Sequence, residues 1–395
     1  MKYIVILGDG MAGEPLDALQ GRTTLDAAAT PHMDALAAKG EVGLTKMVPE
    51  DMKPGSDVAN LGVLGYDPKK YYSGRSPLEA LSVGVAMEET DVVLRCNLVT
   101  LSEEEPYEKK RILDHSAGEI STEEADALMD AVRSAFNSDV FSFHTGTSYR
   151  HITLWKGGKV LDFAQPHDHL GQVITPYLPQ EPVFLQMMKK SFEILNNHPV
   201  NQKRAAAGKN KANSLWFWGA GTKPSLRNFK EKTGKSGAMI SAVDLLKGIA
   251  VGAGMTVVEV PGANGSLHTN YEGKAAAAVA ALQNHDFVYI HVEAPDEMGH
   301  QGSIENKIQA IENLDRRVVA KVVQALQGKD YRLLILPDHP TPIAIRTHTG
   351  KSVPYILYDS RFDKNTGIRY TEKEAATTGI SIDAGYTLMD YFLSE

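Results

Sequence analysis

The sequence predicts an α/β protein with a mostly parallel sheet and helices on both faces. Three observations carry this. Short apolar runs recur along the chain and end in polar turns. Segments with helical spacing separate them, which is the alternation that builds a parallel sheet. Clusters of Asp and His follow three of the apolar runs directly, at the strand ends where open α/β sheets gather ligand groups.

The elements follow in order. "YIVILGDG" reads as a buried strand ending in a turn, and "TPHMDALAAKG" as a helix with Thr30 as N-cap, Pro31 at its first position and Gly40 as terminator. Later, "SLWFWGAG" reads as a strand, "GAMISAVDLLKGIAVGAG" as a strand running into a helix, and "TVVEVPG" as a further strand. "EGKAAAAVAALQNH" is a helix, "DFVYIHVEAPD" a strand, "NKIQAIENLDRRVVAKVVQAL" a helix and "YRLLILPDH" a strand. Residues 111–181 differ in texture. "ISTEEADALMDAVRSAF" is an amphipathic helix opened by a capping box from Ser121 to Glu124. "VFSFHTGTSYRHITLWKGGKVLDF" alternates like two or three strands, and "GQVITPYLPQEP" reads as a linker. The expected organisation is a core domain of 1–110 with 182–395, carrying a smaller α+β domain inserted at 111–181.

Composition narrows the function. The 395 residues are 43% hydrophobic and 23% charged, ordinary for a soluble globular enzyme with a large core. A net charge of −8 argues against a surface built for nucleic acid or anionic lipid. The start, "MKYIVILGDGMAGEP", has too short an apolar run for a secretory signal, and "KAAAAVAALQNHD" is too short to span a bilayer. The single cysteine, Cys96, has no partner for an intramolecular disulfide and fits a reducing compartment. The expectation is a cytoplasmic protein.

The acidic and histidine clusters carry the chemistry. Asp9 ends "LGDG". "APDEMGH" places Asp296 and His300 four apart, on one face if a helix begins there. "LPDHPTP" supplies Asp338 and His339, and His348 follows in "RTHTGKSVP". Each cluster alone reads as turn chemistry or a solvated contact. Together, three Asp and three His from separate strand ends, with no thiolate among them, suit a catalytic pair of divalent ions: manganese, magnesium, cobalt or zinc. Such a site needs a nucleophile. Ser56 in "KPGSDVANLGVLGYDP" reads by itself as a helix cap. Beside a metal pair it reads as the nucleophile, because a metal lowers the pKa of a serine hydroxyl.

At these residues the chain resembles the archaeal-type branch of the 2,3-bisphosphoglycerate-independent phosphoglycerate mutases, in the alkaline phosphatase superfamily. The resemblance runs the whole length and rests on "LGDGMAGEP", "TPHMDALAAKG", "PGSDVANLGVLGYDP", "YYSGRSPLEALSVGV", "APDEMGH", "LPDHPTP" and "THTGKSVP" in that order. It implies an alkaline-phosphatase-like core and two divalent ions, manganese first. Asp296, His300 and His348 would hold one ion, and Asp9, Ser56, Asp338 and His339 the other. The phosphoryl group of a small phosphorylated metabolite would pass to Ser56 and then to the other hydroxyl of glycerate. The insert would act as a cap that keeps water away.

Arg95 and Asn97 in "LRCNLV", Arg150 and His151 in "SYRHITLW", and Lys235 are the candidates for substrate anions, the arginines because a planar guanidinium binds two oxygens at once. The segment "DHSAGEI" departs from the family's "DRxAGRI"-like pattern, with His115 and Glu119 in place of arginines. Glu119, which would meet an ammonium group, keeps open a homoserine kinase-like phosphotransferase, and a metal-dependent phosphomonoesterase stays open if the cap fails to exclude water.

Overall fold

The computed structural model describes residues 1–394 and divides the chain into two compact units, 1–72 together with the chain from Ser225 onward, and Ser73–Pro224. The architecture is α/β. No helix of the described residues is long and apolar enough to cross a membrane.

The larger unit is built on an eight-stranded sheet. In spatial order its strands are Ser381–Ile382, Glu41–Thr45, Val353–Asp359, Tyr331–Leu336, Lys2–Gly8, Phe287–Val292, Gly237–Ile240 and Thr256–Val257. Val353–Asp359 runs antiparallel to both its neighbours, and the other pairings are parallel. The central strands are apolar on both faces because helices cover both, as parallel sheets require. On one face Ile4, Ile6, Val288, Ile290, Leu333 and Ile335 pack with buried helix residues such as Ala275, Leu314 and Val318.

Register positions everything that follows. Leu7 pairs with both His291 and Leu336, so the chains leaving these three strands emerge side by side at one edge. Those departing segments carry Asp9, Asp296 and Asp338.

Three local expectations change. The helix over Pro31–Lys39 forms, but Thr30 makes no side-chain cap bond. Asp315, buried in a neighbouring helix, caps it instead by accepting from the backbone N–H of His32 (3.3 Å) and Met33 (2.7 Å). "TVVEVPG" shortens to the two-residue edge strand Thr256–Val257. The helix read across 306–326 contains a π-helical stretch, Leu314–Val319, between α-helical segments.

The smaller unit is wider than 111–181. Its ten-residue strand Val92–Leu101, buried throughout, pairs antiparallel with Ile112–Asp114, Arg150–Trp155 and Ser214–Thr222. A strand with that much buried backbone needs partners on both sides. "SLWFWGAG" therefore belongs to this sheet and not to the larger one. Phe141–His144 completes the sheet. The helices Thr122–Phe136 and Pro182–Leu195 bury Leu128, Met129, Phe184 and Met188 in the same core. Ser121 caps the first of them, accepting from the Glu124 N–H at 3.2 Å.

Within this unit Arg95 and Glu79 form a buried, bidentate ion pair, with Nε–Oε2 at 2.6 Å and Nη2–Oε1 at 2.7 Å. Trp218 lies 4.8 Å from the guanidinium, and Arg75 adds a bond to Glu79 at 2.9 Å. Burial opposes ionisation of Glu79, yet Arg95 and then Arg75 outweigh it and hold the carboxyl below its usual 4.5. Burial lowers the Arg95 pKa as well, from a starting value so high that the guanidinium stays charged.

Glu79→Gln keeps the shape, removes the charge and leaves Arg95 buried without a counterion. It is expected to destabilise the smaller unit by about 3–5 kcal/mol in urea unfolding. The pair contributes fully above about pH 4.5, where the unfolded carboxyl is ionised, and its contribution fades as pH falls through the lower folded pKa. The variant is expected to lack that acid-dependent limb.

Candidate active site

Ser56 is the first residue of the helix Ser56–Val63, and Gly55 occupies the cap position. The hydroxyl therefore has no capping duty. Its Oγ lies 3.2 Å from His339 Nε2 and 3.5 Å from Asp9 Oδ2, at the positive end of the helix.

Around it, the chain segments leaving the three central strands bring their side chains together. Asp9 Oδ2 accepts from His291 Nε2 at 2.8 Å, while Asp9 Oδ1 is buried with no hydrogen-bond partner. Asp338 accepts from the backbone N–H of Gly10 (3.1 Å) and His339 (2.9 Å) and from Asn60 Nδ2 (2.9 Å). Asp296 and His300 share one face of the helix Ala294–His300, as their spacing predicts, with Nε2–Oδ2 at 3.1 Å. His348 Nε2 lies 3.4 Å from Asp296 Oδ1 and 2.9 Å from His300 Nε2.

Glycine is required at position 10. Its φ is +57°, and a Cβ there would collide with the Asp296 carboxylate and the Thr341 hydroxyl.

The electrostatics are those of crowded carboxylates. Burial, then Asp338, Asp296 and Glu293, push the Asp9 pKa well above the usual range. Asp296 is held well below that range despite its burial, because His300 and His348 hydrogen-bond to it. In return the hydrogen bond to Asp296 raises His300 to about 9, so a proton there does some of the neutralising work of a cation. Burial lowers His339, and burial followed by Lys274 lowers His291 strongly, so both rings are neutral at pH 7.

These residues fit divalent cations. Asp9, Asp338 and His339 each bring one donor atom within 4.8 Å of the others, and so do Asp296, His339 and His348. Metal–ligand bonds of about 2.0–2.2 Å space neighbouring donors about 3–3.5 Å apart, close to the 3.1, 3.4 and 2.9 Å separations among Asp296, His300 and His348. The orphaned Asp9 Oδ1 is an acceptor that such an ion would satisfy. His300 Nδ1 donates to the Arg346 carbonyl at 2.9 Å, which leaves a neutral ring's Nε2 lone pair directed at the cluster. Cys96, in the smaller unit, is buried with its thiol pushed up to about 12 and has no part in this set.

Sequence reasoning missed several residues that shape the site. Asn60 is buried four residues after Ser56 and bonds the Ser56 carbonyl (2.9 Å) as well as Asp338. Tyr289 donates its hydroxyl to Asn60, and His291 reaches Asp9. The signal for both was a period-two pair of polar side chains inside the apolar strand "FVYIHV". Thr341 donates to Asp296, and Lys307 bonds backbone carbonyls beside the ligands.

The expected anion contacts fare unevenly. Arg95 is committed to Glu79, and Asn97 bonds the His115 carbonyl (3.3 Å) and accepts from Trp218 Nε1 (3.1 Å). Arg150 is exposed, 5.3 Å from the Tyr149 ring. His151 is corrected as an anion contact. Strand alternation turns it to the opposite face from Arg150 and into the core, where Nδ1 accepts from the Gly146 N–H and burial lowers its pKa to about 3. Lys235 is corrected too. It precedes the strand Gly237–Ile240, at the amino edge of a sheet whose acidic cluster lies at the carboxyl edge, and its Nζ is 5.2 Å from the Tyr3 ring.

The chain is similar to known proteins over its whole length. A family model described as 2,3-bisphosphoglycerate-independent phosphoglycerate mutase matches residues 37–201. A Geobacter sulfurreducens protein named as a probable enzyme of that kind is 47% identical over 402 residues, covering 100% of both chains. The Methanosarcina acetivorans protein of that name is 48% identical over 386 residues, 96% of each chain. Among solved structures, a Pyrococcus horikoshii protein superposes with a TM-score of 0.84 at 28% identity, covering 100% of this chain and 98% of its own. A cofactor-independent phosphoglycerate mutase from Thermoplasma acidophilum gives 0.66 at 27% identity, covering 100% of this chain and 99% of its own. Near-half identity sustained from end to end places this chain in the 2,3-bisphosphoglycerate-independent phosphoglycerate mutase family.

Proposed function

We propose that this chain is an isomerase that interconverts 2- and 3-phosphoglycerate through a phosphoserine at Ser56, in the cytoplasm, without nucleotide or bisphosphoglycerate. The observation that supports this most is the position of the Ser56 hydroxyl, free of capping and set among the buried Asp and His side chains. Asp296, His300 and His348 would hold one divalent ion, and Asp9, Ser56, Asp338 and His339 a second, with manganese the first choice. Bound there, the ions supply Lewis-acid polarisation of the phosphoryl oxygens and lower the pKa of the serine hydroxyl.

The chain's own residues do the rest. Ser56 Oγ gives up its proton and forms the bond to phosphorus as the ester bond to glycerate breaks, and the released glycerate oxygen takes up a proton in its place. The neighbouring glycerate hydroxyl then loses its proton as it attacks phosphorus, the bond from phosphorus to Ser56 Oγ breaks, and Oγ takes up a proton to become a free hydroxyl again. No atom is gained or lost overall. Asn60 holds both the Ser56 backbone and Asp338, which fixes the nucleophile against its activating groups. Of the expected anion contacts, Arg150 is the exposed one and is assigned to an anionic group of the substrate. The substituted segment 114–120 is a turn in which Asp114 accepts from the Ser116 and Gly118 N–H groups, held from outside by Asn97, Arg204 and Ser148, which donate to its carbonyls, and by Asn210, which donates to Asp114. Nothing in that turn favours the kinase-like or phosphomonoesterase readings over the mutase named for the full-length relatives.

The test is a coupled assay following 2-phosphoglycerate from 3-phosphoglycerate on manganese-loaded protein, with an ATP-plus-homoserine arm. Ser56→Ala is expected to lose on the order of 10³-fold or more in turnover while still binding manganese. Wild-type-like turnover in that variant, or ATP consumption with no mutase activity, would overturn the proposal. Stripping with a chelator is expected to abolish turnover reversibly and leave the far-UV circular dichroism intact, because the sheet that carries the ligands is a packed core without them. Gly10→Ala is expected to weaken manganese binding by about 10-fold or more in calorimetry, through its collision with Asp296.

A further inference from the structure

Lys307 sits on the helix Ile304–Asn313, fully buried, with no carboxylate bonded to its ammonium. Its Nζ donates to three backbone carbonyls instead: Gly10 (2.7 Å), Ala12 (3.1 Å) and Thr341 (2.7 Å). A lysine ammonium has three N–H bonds and no acceptor, so the nitrogen is saturated and serves as neither general acid nor general base. A neutral amine has one N–H fewer and would leave one of these carbonyls without it. Burial lowers its pKa to about 8, with Asp296, Glu372 and Asp9 opposing the fall, so the charge persists at neutral pH.

The identity of the three carbonyls gives the residue its meaning. Gly10 and Ala12 belong to the turn that follows Asp9. Thr341 lies two residues after His339, and its hydroxyl donates to Asp296. The same turns also meet directly, through the Thr341 N–H and the Ala12 carbonyl at 3.1 Å. From the other side, Glu372 grips the first turn by accepting from the Gly13 N–H at 3.1 Å.

We propose that Lys307 is a positioning residue of the metal centre. Its ammonium clamps the turns after the strands Lys2–Gly8 and Tyr331–Leu336 at the spacing that brings Asp9, Asp338 and His339 onto one divalent cation. This rests on the reading that those three residues bind such a cation. The sign of the effect discriminates, because a buried positive charge also repels a cation. If repulsion governed, removing Lys307 would tighten metal binding, whereas loss of the clamp weakens it.

The experiment is calorimetric titration of manganese chloride into chelator-stripped wild type, Lys307→Met and Lys307→Gln, with melting curves of the stripped proteins. Lys307→Met is expected to bind manganese about 10–100-fold more weakly. Lys307→Gln, which keeps an amide donor, is expected to fall between, and it carries the test if the methionine variant does not fold. A lysine that only filled space would lower the melting temperature and leave the dissociation constant of the folded protein unchanged. Unchanged or tighter binding in the folded variant overturns the proposal. Failure of the wild type itself to bind manganese overturns the metal reading beneath it, a result distinct from any change between variants.

Discussion

The structure turns on mutual repulsion among carboxylates held out of water. The parallel register of Lys2–Gly8 with its two neighbours delivers Asp9, Asp296 and Asp338 to one edge of the sheet. Burial there is costly for each charge and costlier for three together. The surroundings answer that cost piece by piece. Asn60 and two backbone N–H groups serve Asp338, His291 serves one oxygen of Asp9, and Thr341 with two imidazoles serves Asp296. Two buried ammonium groups, Lys274 and Lys307, stand behind them on backbone carbonyls. One acceptor, Asp9 Oδ1, is left over. A site that is satisfied everywhere except at one carboxylate oxygen is organised for something positive to arrive.

Strand periodicity decides which side chains take part. On Phe287–Val292, Tyr289 and His291 alternate with apolar residues and so reach the same side, one through Asn60 and one through Asp9. On Arg150–Trp155 the same rule separates neighbours, leaving Arg150 exposed and sending His151 into the core. Adjacent residues in a strand are poor candidates for a shared ligand. Residues two apart are good ones.

Much of this was legible in the sequence because the pattern was strong at the right places. Apolar runs ending in Asp identified the central strands and the acidic residues at their ends in one step, and the Asp296–His300 spacing needed only a helix to become a contact. What stayed hidden depended on tertiary partners. Thr30 looked like a cap, but Asp315, distant in sequence, does the capping. Val92–Leu101 and Ser214–Thr222 lie outside the segment of unusual texture, yet pairing binds them to its sheet. Lys235 was read as lying just before the strand "GAMIS", and that position puts it at the amino end of the strand, the edge opposite the acidic cluster. Lys307 looked like any polar residue of an amphipathic helix, and nothing local marks a lysine whose carbonyl partners lie 297 and 295 residues earlier and 34 residues later.

The order of the strands along the chain has a consequence for synthesis. The central strand, Lys2–Gly8, leaves the ribosome before the strands that flank it, Phe287–Val292 and Tyr331–Leu336, which follow roughly 280 and 320 residues later. Residues 73–224 are continuous and are complete before either arrives. The nascent chain therefore carries this apolar strand without its neighbours while the roughly 280 residues that separate them are made. The unit with no gap in its sequence has its full complement of strands while the other still waits for the middle of its sheet.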